Sequence, residues 1–183
     1  MPNIEGEATA ITVLTPVKRR GPMLLRLVFW AGRNLTWTLE KLQMLSFIHF
    51  ARWAVIKRFP DENGGERLNH SYLIFESNFN GAWDQYIDAF SEVVARRMKA
   101  IWGTSFGFPG PQPVEAFKAY IRHNEFVANH YFSAYAGATT TEIISAGRIE
   151  PALEELKAAA ATSDAQSFEA AFGEFLTKAQ RDL

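Results

Sequence analysis

Arg52 and Glu76 are the side chains in this chain best suited to chemistry, each standing in an aromatic-rich stretch that reads as a strand. A guanidinium holds an anionic ligand, and a carboxylate in a desolvated site accepts a proton. The two stretches are Phe47-Ile48-His49-Phe50-Ala51-Arg52-Trp53 and Leu73-Ile74-Phe75-Glu76-Ser77-Asn78-Phe79-Asn80-Gly81-Ala82-Trp83. Polar groups in such strands must meet water, a partner or a ligand, because unpaired burial costs about 1–3 kcal/mol each. Strand alternation puts Glu76 and Asn78 on one face and Leu73, Phe75, Ser77 and Phe79 on the other. The apolar set should meet helices, leaving Glu76 and Asn78 on the open face. Register decides whether His49 or Arg52 joins them, and alternation alone leaves that open. An Arg52–Glu76 pair either closes a half-buried sheet or forms a working pair, with Arg52 binding an anion or Glu76 accepting a proton. His49 is read as a hydrogen-bonded core histidine or a ligand contact.

Tyr131, Ser133 and Tyr135 share one side of a strand expected over 128–136. Tyrosines there would orient a ligand or donate a proton, or pack an interface with their hydroxyls at its rim. His123, at a short helix's end, favours the dipole, and His70 lies beside a turn. No histidine pair has metal-ligand spacing, so no metal site is expected. Haem needs one axial histidine, which spacing does not address. Gly-x-Ser-x-Gly is missing, and Gly103-Thr104-Ser105-Phe106-Gly107-Phe108-Pro109-Gly110 lacks a P-loop lysine; it reads as a lid or pocket rim. With no cysteine, disulfides, thiolate metal sites and thiol nucleophiles are excluded. A net charge of −1 gives no bulk attraction for nucleic acid. The residues point to a site without naming a reaction.

The elements that must position these residues follow from periodicity. The 183 residues, 48% hydrophobic, suffice for one well-packed domain. Residues 8–15 alternate as a first strand, and Pro22 opens a helix running to about Met44. Strands at 46–56 and 71–79 flank a polar turn at 60–66. A helix from about Trp83 to Ile101 follows, then a Gly- and Pro-rich loop, a short helix at 114–123 and the strand at 128–136. Pro151 sits near the start of a helix reaching Ala161, and Thr162-Ser163-Asp164 caps a last helix. This order, strand-helix-strand-strand-helix-strand, predicts an α+β, ferredoxin-like split βαβ sheet with two long helices on one face. Residues 1–148 would form that domain and 149–183 a helical extension. The open aromatic face needs a cover, and a second copy of the chain supplies it.

Four segments carry a resemblance: Ile48-His49-Phe50-Ala51-Arg52-Trp53, Ser77-Asn78-Phe79-x-Gly81-x-Trp83-x-x-Tyr86, Ala100-Ile101-Trp102-Gly103 and Ser133-Ala134-Tyr135. Together, over roughly Ala8 to Thr141, they resemble a bacterial group similar to the dimeric α+β barrel superfamily. That superfamily includes dye-decolourising peroxidases, chlorite dismutases and small monooxygenases. The resemblance implies a homodimer with a cavity on the open face of each sheet. There a small apolar or aromatic ligand would bind, with Arg52 and Glu76 as catalytic candidates and His49, Asn78, Tyr131 and Tyr135 as lining. The group's chemistry does not carry over to this chain; oxidation of that ligand, with or without haem, is the reaction an enzyme reading would give it. The chain departs from the haem peroxidases in lacking Gly-x-x-Asp-Gly, so haem is not favoured. The alternative is a non-catalytic homodimeric interaction module. The N-terminus lacks a secretory pattern, and Met23 to Trp30 is too short to span a membrane, so a cytoplasmic protein is expected. A mildly basic amphipathic helix over Met23 to Trp37 gives membrane-surface binding as a weaker third reading.

Overall fold

The structure, a computed structural model, describes residues 3–34, 45–59 and 67–182. The chain divides into two compact units, Met1–Gly137 and Ala138–Leu183. The expected boundary at 148/149 falls within a helix of the second.

The first unit is α+β. Its strands are β1 (Ile4–Glu5), β2 (Ala8–Val17), β3 (Ile48–Arg58), β4 (Arg67–Asn80) and β5 (Glu125–Phe126). All pairs are antiparallel: β4 lies between β2 and β3, while β1 and β5 both pair with β2. The order β5-β2-β4-β3 is compatible with a ferredoxin-like split βαβ. The helices are α1 (Gly21–Asn34), α2 (Trp83–Val93), α3 (Ala95–Trp102) and α4 (Val114–Asn124). The expected first helix continued to Met44; residues 35–44 lie outside the described residues.

Alternation along the strands decides what the helices cover. Ile11, Val13 and Val17 of β2 and Leu73, Phe75 and Phe79 of β4 are buried, in one core with Leu25, Phe90, Met98, Trp102 and Phe117 from the four helices. Much of the aromatic content is spent here. Phe79 stacks on Tyr86 at 3.9 Å between centroids, and Phe75 meets Trp102 edge-on at 5.1 Å. Such pairs add about 0.5–1.5 kcal/mol beyond their burial. The loop at 103–110 contributes Ser105, wholly buried, whose hydroxyl shares a 2.9 Å bond with that of Thr15.

Two expected elements of this unit differ. The helix over 83–101 is two helices, because Val94 takes φ −120°, ψ 21° and interrupts it. Residues 128–136 are not a strand. Their aromatic and small residues suit one, but the free edge of β2 is already taken by β1 and β5, leaving the segment no ladder. It is tied down instead by bonds outside a ladder: Ala128 N–H donates to Asn3 Oδ1 at 2.6 Å, Ser133 N–H to the Glu5 carboxylate, and Glu7 N–H to Ala136 O at 2.9 Å. Gly6, at φ +61°, permits that last approach, since a Cβ there would lie 1.7 Å from Ala136 O. The fourth strand is the two-residue β5, pairing Phe126 with Thr12.

The second unit contains α5 (Thr140–Thr162) and α6 (Ala165–Ala179), joined by a short turn. Helix α5 starts well before Pro151, which lies inside it. The start is fixed by a capping box: Glu142 N–H donates to Thr139 Oγ1 at 3.2 Å, and Thr139 N–H to the Glu142 carboxylate at 2.7 Å. Asp164 caps α6 as expected, accepting from Ser167 N–H at 2.8 Å. Lys178 reaches back to Glu155 at 2.6 Å, and Ser145 donates to Asp182 at 3.0 Å. Among the described residues no helix is long and apolar enough to cross a membrane.

Candidate functional site

The register of β3 on β4 settles the face question. Arg52 lies directly opposite Glu76, and Phe50 opposite Asn78. Ile48 pairs with Phe79, so the ladder slips by one residue at His49, a bulge that alternation cannot foresee. Ile48 is thereby turned toward the core with Phe47, away from the open face that unbroken alternation with Phe50 and Arg52 would give it. His49 Nε2 is buried without a hydrogen-bond partner among the described residues.

On the open face Arg52 Nε donates to the Glu76 carboxylate. The Arg52 side chain is 70% exposed and that of Glu76 26%. Asn78 Nδ2 donates to Tyr131 Oη at 2.5 Å, bringing the 127–136 segment over this end of the sheet. Glu76 and Asn78 thus share one face, Arg52 and not His49 joins them there, and Tyr131 reaches them, whereas Tyr135 stands 69% exposed outside the group. His70, His123 and His130 are exposed as well. No cluster of three or more histidine, aspartate or glutamate side chains able to hold a metal occurs among the described residues.

The cavity lies on the opposite side of the sheet. About 780 Å³ in volume, it opens between α1 and the α2–α3 pair, with Trp53 of β3 also lining it. Its walls carry Phe29, Trp30, Phe90, Val94, Met98, Ile101 and Trp102. The break at Val94 lets α2 and α3 both contribute, and the small Ala31, Gly32 and Ala100 leave room. Three arginines, Arg26 and Arg33 from α1 and Arg97 from α3, also line it. No carboxylate stands among the described lining residues. Three buried donors at this cavity, Trp53 Nε1, Trp102 Nε1 and Arg97 Nη1, have no partner among the described residues. None of the four histidines lines it, so its walls offer a haem no axial imidazole.

Sequence reasoning missed this constellation, although part of its signal was present. Arg26, Trp30 and Arg33 fall on one helical face by their i, i+4 and i+7 spacing, a pattern also met in membrane-surface helices. Arg97 carries no such mark; only the packing of α3 beside α1 brings it in. Elsewhere, Glu125 accepts from Trp83 Nε1 at 3.0 Å, with the Arg122 guanidinium 4.5 Å above the Trp83 ring. Burial pushes the Glu125 carboxyl above its usual value, opposed by the Trp83 bond and the nearby Arg122 charge.

No family model, no curated protein and no solved structure matches this chain.

Proposed function

We propose that the protein binds a small apolar or aromatic molecule, and that the site is the cavity between α1 and the α2–α3 pair, not the open face of the sheet. The observation that carries this reading is a cavity of about 780 Å³ walled by five aromatic rings. That volume falls within the range of about 300–1,000 Å³ usual for small-molecule sites, which are mostly apolar with a few placed polar groups. No chemical step is assigned to it.

The test is uptake of an uncharged fluorescent probe, N-phenyl-1-naphthylamine, by the full chain. Saturable uptake of one probe per chain is expected. Ala31→Trp, which places an indole in the cavity from a half-buried position on α1, should weaken uptake by about tenfold or more, equivalent to roughly 1.4 kcal/mol. Thermal melting of the variant confirms that it is folded. Uptake that never saturates, or that Ala31→Trp leaves untouched, contradicts this reading.

A second proposal concerns the open face. Phe50 and Phe126, 56% exposed each, stand on it beside the half-buried Leu14 and Ile74. The resemblance to dimeric α+β barrel proteins implies a second copy packed there, sheet against sheet. In this reading Arg52, Glu76, Asn78 and Tyr131 are interface groups, with an Arg52–Glu76 pair in each copy.

A further inference from the structure

The polar side chains around the cavity are all of one kind. Arg26, Arg33, Arg97, Trp30, Trp53 and Trp102 can donate hydrogen bonds, and none can accept one through a conventional acceptor. The remaining described lining is aliphatic, aromatic or glycine, apart from the weakly accepting thioether of Met98. Side chains that only donate are matched by a ligand group that accepts. Three guanidinium groups at one apolar cavity, with no carboxylate among the described lining, repel one another and attract negative charge. The Nη1 of Arg97 and the indole N–H groups of Trp53 and Trp102, all on side chains that line the cavity, are buried without partners, an unfavourable state that an acceptor would relieve once a small turn of the side chain exposed the donor.

From this we infer that the ligand is an apolar body carrying a terminal oxyanion, a carboxylate or a phosphate. The inference rests on the cavity being the binding site, as proposed above. The apolar body lies against Phe29, Phe90 and Ile101, and the oxyanion against Arg97, with Arg26 and Arg33 supplying charge from α1. Guanidinium suits this role because its planar fork meets two oxygens of one oxyanion at once. Neutral analogues of the same shape keep the apolar contact and lose the rest.

Calorimetric titration of the full chain with 1-naphthylacetate, 1-naphthyl phosphate and the neutral 1-naphthylacetamide tests the inference. At least one anion should bind tenfold or more tightly than the amide, and that preference should shrink with added salt. Which anion is preferred tells carboxylate from phosphate. Arg97→Gln should reduce the preference to about threefold or less, with the anion losing more affinity than the amide. Should Arg97→Gln melt early, the double variant Arg26→Gln/Arg33→Gln, at two exposed positions, provides the same readout. Equal affinity for anions and amide overturns the inference, and so does a preference that both sets of substitutions leave intact. In either case the uncharged probe still binds and the ligand-binding proposal stands. If the probe fails along with all three naphthyl compounds, the cavity itself is not a site.

Discussion

Glu125 shows how one residue can carry opposing influences with a measurable sum. Its partial burial raises the carboxyl pKa, against the bond from Trp83 Nε1 and the pull of Arg122. A carboxyl that is easier to protonate in the folded chain than in the unfolded one makes the native state the stronger proton binder. Stability then falls as pH rises from the ordinary carboxyl range through the raised value, and is regained on acidification. Glu142 and Asp164 have the opposite sign. Helix-terminal hydrogen bonds hold both carboxyls below their usual values, so their contribution is present at neutral pH and lost as pH falls. The residues are therefore separated by comparing variants, not by one acid titration. Glu125→Gln, which keeps an oxygen for Trp83, should raise the melting temperature at pH 7, and the gain should fade toward pH 4. An unchanged or lowered melting temperature at pH 7 would show that the Arg122 and Trp83 interactions outweigh burial.

Among the elements, the strands were legible in the sequence and the exceptions were not. Alternation in 8–15 and 71–79 put the right residues of β2 and β4 into the core, because a half-buried strand has little freedom in which face it turns inward. The slip at His49 and the break at Val94 answer to the packing of neighbours, which leaves no local mark. The failed strand at 128–136 had suitable residues but no vacant edge, a fact of topology and not of composition. Helix α5 is a different case: Thr139-x-x-Glu142 was a readable start signal, overshadowed by Pro151 in the helix interior. That cap should matter measurably, since α5 also contains Gly147 and Pro151, both poor helix formers. Thr139→Ala should cost about 1 kcal/mol in urea unfolding. In α6, Gly173→Ala should act in the other direction by roughly 0.5–1 kcal/mol. Gly173 is exposed, and a Cβ there meets nothing within 4 Å. No measurable effect of either substitution would mean that these helices draw their stability from elsewhere than their own caps and propensity.

At the scale of the whole molecule the sheet has two unlike faces, and each was only half readable. The helix-covered face was foreseen as a core; that it also opens a cavity between α1 and α3 follows from small residues and a helix break meeting across elements. The open face was foreseen as the site, and it does gather Arg52, Glu76, Asn78 and Tyr131, yet its exposed aromatics suit a broad contact better than an enclosed pocket. Phe50 projects from β3 and Phe126 from β5, at the two margins of the face, so a second sheet laid across it would cover both. Burying such side chains removes apolar area worth about 25 cal/mol per Å² from water. Light scattering on the full chain should then give twice the mass of a single chain. Phe50→Lys, at a position already 56% exposed, should leave folding intact and return the mass to that of one chain. Because the cavity lies across the sheet from Phe50, this monomeric variant should still take up the uncharged probe. A wild-type protein that stays monomeric at high concentration would end the dimer proposal, and so would a Phe50→Lys variant that remains a dimer. A monomer that loses probe uptake would instead show that the two faces are coupled, with the cavity held open by the partner copy.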